Sequence, residues 1–203
     1  PGIMKKLSIP GVSIAVINEG RIEWTKSYGL KEVGGEPLDK DTLFQAASVS
    51  KPVVSMAALS LVEEGKLDLD ANVNTYLTSW KVPENEFTKE EKVTLRRLLS
   101  HTAGVSSFDV DEGATGENAP TLLQILNGYK PAKTDPVTVD MVPGSQWRYS
   151  NEGYAVVQQL LIDIKGKSFP EVMKELVLAP LGMENSTFDQ FLQNEELKLA
   201  ATG

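Results

Sequence analysis

The stretch Ala47-Ser48-Val49-Ser50-Lys51-Pro52 decides how the rest of this chain is read. It lies where an extended run, Thr42 to Ala46, gives way to the apolar sequence Val53-Val54-Ser55-Met56-Ala57-Ala58-Leu59-Ser60-Leu61-Val62-Glu63-Glu64, closed by Gly65. That pattern predicts a helix apolar on nearly all sides, and so a buried one, with Gly65 as its stop. Pro52 fits only the first turn, where a missing N–H costs nothing, so the helix starts close to Ser48. Residues three apart share a helix face, and the Lys51 ammonium then reaches the Ser48 hydroxyl. An amine beside a hydroxyl at a helix N-terminus is a way to make a nucleophile and to stabilise the oxyanion it generates. The alternative is that Ser48 only caps the helix.

Upstream, the β-branched run Val12–Ile17 and the alternating run Arg21–Tyr28 flank Asn18-Glu19-Gly20, which reads as an antiparallel hairpin. A loop from Gly29 to Asp41 leads to an expected short strand, Leu43–Ala46. Downstream, Asn72 to Trp80 reads as a short helix or turn. Thr94 to Ser100 repeats leucine at helical spacing and is followed by His101-Thr102-Ala103-Gly104, with Gly104 in the place of a C-terminal glycine. His101 is the only histidine. With no Gly-x-Ser-x-Gly elbow to pair with it, it reads as structural, its ring bonding backbone near the helix end.

Asp109, Asp111 and Glu112 invite a calcium reading, but the spacing lacks the Asp-x-Asp-x-Asp-Gly ladder and its terminal glutamate. A short helix, Thr121–Asn127, stops at Gly128, and Tyr129 to Pro143 is extended. In Tyr149-Ser150-Asn151 an extended backbone sends the phenol and the amide to one side, at the entrance of a helix running to Ile164 and stopping at Gly166. Ser150 or Asn151 is the alternative cap for that helix. Ser168-Phe169-Pro170-Glu171 opens another helix that runs through Leu178.

The 203 residues are 41% hydrophobic and 24% charged, which suits a globular chain burying one sizeable core. A net charge of −8 without a Lys/Arg cluster argues against nucleic acid or an anionic membrane as partner. The absence of cysteine excludes disulfides, thiolate metal sites and a thiol nucleophile. No stretch reads as a membrane span. The first residue is Pro1, so a trimmed start and a removed export signal are expected.

Taken together and in order, Ser48-x-x-Lys51, Leu98 to Gly104 and Tyr149-Ser150-Asn151 resemble the serine β-lactamase and penicillin-binding-protein superfamily. The likeness is to its class C branch, which includes D-Ala-D-Ala carboxypeptidases and β-lactamase-like esterases, and it extends from Val12 to about Met183. The resemblance implies an α+β fold of the β-lactamase/transpeptidase type, an antiparallel sheet flanked by a mostly helical domain. Residues 1–47 would give the first strands of the sheet and residues 48–203 the helical region with the motifs. It implies a serine hydrolase with Ser48 as acyl-forming nucleophile, Lys51 as the cation or base beside it, Tyr149 as proton shuttle and Asn151 holding substrate amide or lysine. Either Lys51 or Tyr149 can be the base on this reading.

The same resemblance implies a small-molecule or peptide substrate, cleaved at an amide, β-lactam or ester, and favours a periplasmic or extracellular location while leaving a cytoplasmic one open; no cofactor and no metal are expected. The chain departs from the pattern after Tyr149, where no third motif of the Lys-Thr-Gly or His-x-Gly type follows, and the later strands and final helix are missing. The sheet is therefore expected to be incomplete, with the missing C-terminal segment as a partner. The rival reading that this departure favours is a non-hydrolytic penicillin-binding, sensor-like or peptide-binding module, or an inactive fragment of such an enzyme.

Overall fold

The computed structural model describes residues 2–108, 119–190, 192, 200 and 201. The chain forms two compact units, residues 1–47 with 184–203, and residues 48–183. Asp109, Asp111 and Glu112 lie outside the described residues.

In the first unit a short helix α1 (Gly2–Lys6) precedes β1 (Gly11–Asn18) and β2 (Arg21–Gly29), which pair antiparallel. Glu19 and Gly20 both take positive φ, +48° and +73°, which matches the twist of a two-residue hairpin turn. The register runs from Gly11 opposite Gly29 to Val16 opposite Trp24, then slips so that Ile17 faces Ile22. One extra residue on β2, Glu23, makes a bulge there. No residue of either strand is fully buried, and Ile17 and Ile22 are each 68% exposed, so this is a small open sheet among the described residues.

The expected strand Leu43–Ala46 does not form. Leu43 makes a single parallel bridge with Ala200, and residues 44–46 join no ladder among the described residues. Ala47 then takes φ +45° and turns the backbone out of the extended conformation into a 3-10 turn, Ala47–Val49.

The second unit is helical. The turn at Ala47–Val49 runs into α2 (Ser50–Glu63), with Pro52 in its first turn as the sequence requires. Burial is confined to one face, Val54, Ala57, Ala58 and Leu61, whereas Met56 and Leu59 are nearly half exposed. The expectation of a helix buried on all sides is thus corrected: an apolar composition permitted full burial, but only one face meets neighbouring helices.

Helices α3 (Leu95–Leu99) and α4 (Leu122–Asn127) are short and capped by Thr94 and Thr121, whose hydroxyls accept the Arg97 and Gln124 N–H groups. Central to the unit is α5 (Asn151–Lys165), against which α2, α3, α4 and α6 (Phe169–Met173) all pack. Its Val156, Val157, Leu160 and Leu161 are wholly buried. Ser150 caps it, accepting the Gly153 N–H at 2.9 Å, and Gly166 ends it in the left-handed conformation at φ +61°. Beyond α6 the helix widens into a π turn, Lys174–Leu178. No described helix is long and apolar enough to cross a membrane.

Because Leu160 is wholly buried on α5, the helix against which four others pack, Leu160→Ala is expected to cost about 2–5 kcal/mol, the usual range for a truncated core leucine. Urea denaturation followed by circular dichroism measures it. A loss below about 1 kcal/mol would mean that α5 is not the centre of the core.

The end of α3 differs from the sequence reading. Its left-handed residue is His101, at φ +59°, not Gly104. Gly104 is also left-handed, at φ +69°, but for another reason: a Cβ there would lie 2.1 Å from the Met141 carbonyl oxygen. Only glycine allows the backbones at 104 and 141 to approach so closely. Residues 101–106 consequently run beside 138–148, with bonds from Ser106 N to Thr138 O, Asp140 N to Gly104 O, Gly144 N to Thr102 O and Arg148 N to His101 O. This pairing brings the segment before α5 alongside the end of α3.

Candidate active site

Ser48, Lys51, Tyr149 and Asn151 all belong to the helical unit, and the fold brings them together. The 3-10 turn holds Ser48 one turn ahead of Lys51, and Lys51 Nζ donates to Ser48 Oγ at 3.1 Å. Ser48 Oγ lies 2.7 Å from Tyr149 Oη, across 101 residues of sequence. Lys51 Nζ also donates to Asn151 Oδ1 at 2.8 Å. The serine oxygen is therefore held between an ammonium and a phenol, and the ammonium is tied down on its far side by an amide.

The alternation predicted for Tyr149 and Asn151 is achieved with Ser150 between them as the helix cap. Tyr149 is the last residue before the cap and Asn151 the first residue of α5. Ser150 faces away from Ser48: its hydroxyl is buried and donates to the Ser106 carbonyl at 2.9 Å. Glu152, also buried, accepts the Phe108 N–H at 3.2 Å, so the start of α5 and the backbone at Phe108 are pinned together.

Electrostatics follow from this packing. Lys51 Nζ sits 4.7 Å from the centroid of the Tyr149 ring and 5.6 Å from that of Tyr154, cation–π distances that hold the ammonium between two phenols. The interaction with Lys51, and next the bond from Ser48, hold the Tyr149 phenol below the ordinary tyrosine range. Tyr149 stays 38% exposed and Val49 71%, so the group opens to solvent on the serine's side.

Two further residues, Tyr154 and His101, pack into the group. Tyr154 is three residues beyond Asn151 on the same face of α5, and its hydroxyl donates to the Leu99 carbonyl at 3.2 Å and lies 3.0 Å from Ser55 Oγ. Helical spacing was the available signal, since Asn151 and Tyr154 fall on adjacent turns of one face. His101 bonds backbone, as its reading required, but the backbone is that of Ser150: its Nδ1 accepts that N–H at 3.2 Å. The imidazole stacks at 4.5 Å on Tyr149, and burial first, then the nearby Lys51 charge, push its pKa down.

The Beta-lactamase family model matches residues 2–198. The chain belongs to the Beta-lactamase family. Among its relatives are esterase EstB of Burkholderia gladioli, 31% identical over 195 residues, which cover 91% of this chain and 48% of EstB. Penicillin-binding protein 4 of Amycolatopsis lactamdurans is 30% identical over 179 residues, 88% of this chain and 44% of that protein. Among solved structures, EstCE1, a hydrolase with promiscuous acyltransferase activity, superposes with a TM-score of 0.78 at 28% identity, covering 99% of this chain and 54% of EstCE1. The fold is thus the β-lactamase/transpeptidase fold, and the chain spans about half the length of the relatives it matches.

Proposed function

We propose that this chain carries the acylating centre of a serine hydrolase of the Beta-lactamase family, with Ser48 as nucleophile and Tyr149, supported by Lys51, as the group that takes its proton. The observation that carries the proposal is the placement of Ser48 Oγ between Lys51 Nζ at 3.1 Å and Tyr149 Oη at 2.7 Å. A serine hydroxyl is a weak nucleophile until a base removes its proton. A phenol whose pKa is lowered by an adjacent ammonium supplies that base closer to neutrality than a free tyrosine does.

On this reading the Tyr149 phenolate draws the proton from Ser48 Oγ as the oxygen bonds to the substrate carbonyl carbon. The carbonyl oxygen takes up the displaced electron pair, facing N–H groups of the helix mouth that have no partner inside the helix. Collapse of that oxyanion breaks the bond to the leaving group, which departs with the proton held by Tyr149, and leaves an ester on Ser48. Water then gives a proton to Tyr149 and attacks the acyl carbon. The acyl–Oγ bond breaks, Ser48 recovers the proton, and the acid is released. Asn151 fixes the position of Lys51 through its Oδ1, 2.8 Å from Nζ.

Ester hydrolysis is the reaction to expect first, given the likeness to EstB and EstCE1 at 31% and 28% identity. Mixing the chain with excess p-nitrophenyl butyrate should release a burst of p-nitrophenol stoichiometric with protein, followed by a slower steady rate. A nitrocefin assay alongside reports β-lactam turnover. The absence of any burst together with no covalent adduct from a fluorescent penicillin would contradict the proposal.

A further inference from the structure

The residue that fixes Tyr149 belongs to none of the elements named so far as carrying the chemistry. Three contacts run from His101 to residues 148–150. The His101 carbonyl accepts the N–H of Arg148 at 2.8 Å. Its ring Nδ1 accepts the N–H of Ser150 at 3.2 Å. Between these two bonds the imidazole lies 4.5 Å from the Tyr149 ring, tilted by 36°. One side chain and one carbonyl thus hold the Trp147–Arg148 peptide, the Tyr149–Ser150 peptide and the Tyr149 ring.

The backbone conformation of His101 makes this possible. At φ +59° it adopts the left-handed region that glycine enters without strain. The bonds from His101 N to Leu98 O at 3.2 Å and from Thr102 N to Arg97 O at 2.8 Å hold the turn there. A residue whose only task was to end α3 would be served better by glycine. A histidine at this position adds the ring, and the ring is spent on the segment 148–150.

We propose that His101 is the positioning residue for Tyr149: it sets the phenol's distance from Ser48 and Lys51 by bracketing residues 148–150 from both sides. The inference rests on the reading of Tyr149 as proton acceptor given above. For the bracket to hold, Nδ1 must carry a lone pair, so His101 acts as the neutral imidazole with its proton on Nε2. The groups around it agree with that state. The ammonium of Lys51 on α2 opposes a second positive charge, the ring stacks on Tyr149, and Tyr154 of α5 lies 5.3 Å away on another side.

The test compares wild type, His101→Gly and Ser48→Ala, using the pseudo-first-order rate of labelling by a fluorophosphonate probe between pH 5 and pH 10. Glycine keeps the carbonyl and the left-handed turn and removes only the ring. The melting temperature is expected to stay within a few degrees of wild type while the labelling rate falls ~10–100-fold, the usual consequence of misplacing a catalytic group by about 1 Å. The midpoint of the rise in rate with pH should also move upward by about one unit, because Tyr149 loses part of its contact with Lys51. An end-of-helix role alone would leave rate and midpoint unchanged and stability equal or higher, since glycine suits the left-handed turn better.

His101→Asn, which tolerates the left-handed turn and keeps a polar side chain, is the second variant should glycine impair folding, and it should move rate and midpoint in the same directions by less. A rate and midpoint equal to wild type in the folded variants would overturn the positioning role, and so would a rate loss that merely tracks the unfolded fraction. The two claims separate on the third protein. If Ser48→Ala stays blank and His101→Gly matches wild type, only the role of His101 falls; if Ser48→Ala is labelled, the nucleophile assignment and this inference fall together.

Discussion

Ser48→Ala is expected to abolish both the p-nitrophenol burst and the steady release that follows it, lowering hydrolysis by at least ~10³-fold. The size of the effect comes from the role. A residue that forms the covalent intermediate has no substitute in the site, and what remains is whatever acceleration substrate positioning provides. The fold should be unaffected, because Ser48 sits in the exposed 3-10 turn ahead of α2 and its hydroxyl bonds only Lys51 Nζ and Tyr149 Oη among the described contacts. Circular dichroism and a melting curve matching wild type would show that the loss is chemical. Activity retained within ~10-fold would mean that another nucleophile does the work, since the Ser48 hydroxyl does not cap α2, whose N-cap is Val49.

The second large effect concerns the base. Tyr149→Phe is expected to lower the acylation rate by ~10²–10⁴-fold, the range ascribed to a positioned acid or base. The pH dependence gives the sign. A phenol acts as base only when deprotonated, so in wild type the rate should climb with pH through the Tyr149 pKa, and that midpoint should lie below the ordinary tyrosine value because Lys51 and Ser48 favour the phenolate. Lys51→Ala removes the larger of those two influences. Its midpoint should therefore move up toward the free-tyrosine value, with a lower rate at neutral pH. Tyr149→Phe should lack the rise altogether. Should Tyr149→Phe keep both the rate and the rise, Tyr149 is a bystander and the proton goes to Lys51 instead.

How much of this was legible in the sequence depends on the range of each interaction. Ser48 and Lys51 are three residues apart and Pro52 fixes where their helix begins, so that half of the site follows from local rules. Tyr149, Ser150 and Asn151 could be read as a set because alternation in an extended segment decides which side chains share a side. The caps were legible for the same reason: Ser150, Thr121 and Ser168 stand where capping chemistry puts them.

The misreadings are all non-local. Leu43–Ala46 has strand composition, yet a strand needs a partner, and among the described residues only Leu43 finds one. Met56 and Leu59 look like core residues until the neighbours of α2 are known to cover a single face. Gly104 looked like the end of α3, whereas its conformation answers to the Met141 carbonyl 37 residues later in the chain, at 2.1 Å from where a Cβ would stand. His101, read as a backbone ligand, does bind backbone, but that of Ser150, 49 residues away. Nothing in the spacing of residues 98–104 points to that partner.

The central claim is that an acyl group is transferred to the Ser48 oxygen. The most direct measurement is peptide mapping by mass spectrometry after the chain has reacted with a fluorescent penicillin or been quenched with acid during p-nitrophenyl butyrate turnover. The account predicts one added acyl group per chain, on the peptide that contains Ser48, with fragmentation placing the mass on that residue and no adduct in Ser48→Ala. An adduct on any other residue, or an adduct that persists at the same level in Ser48→Ala, would contradict it.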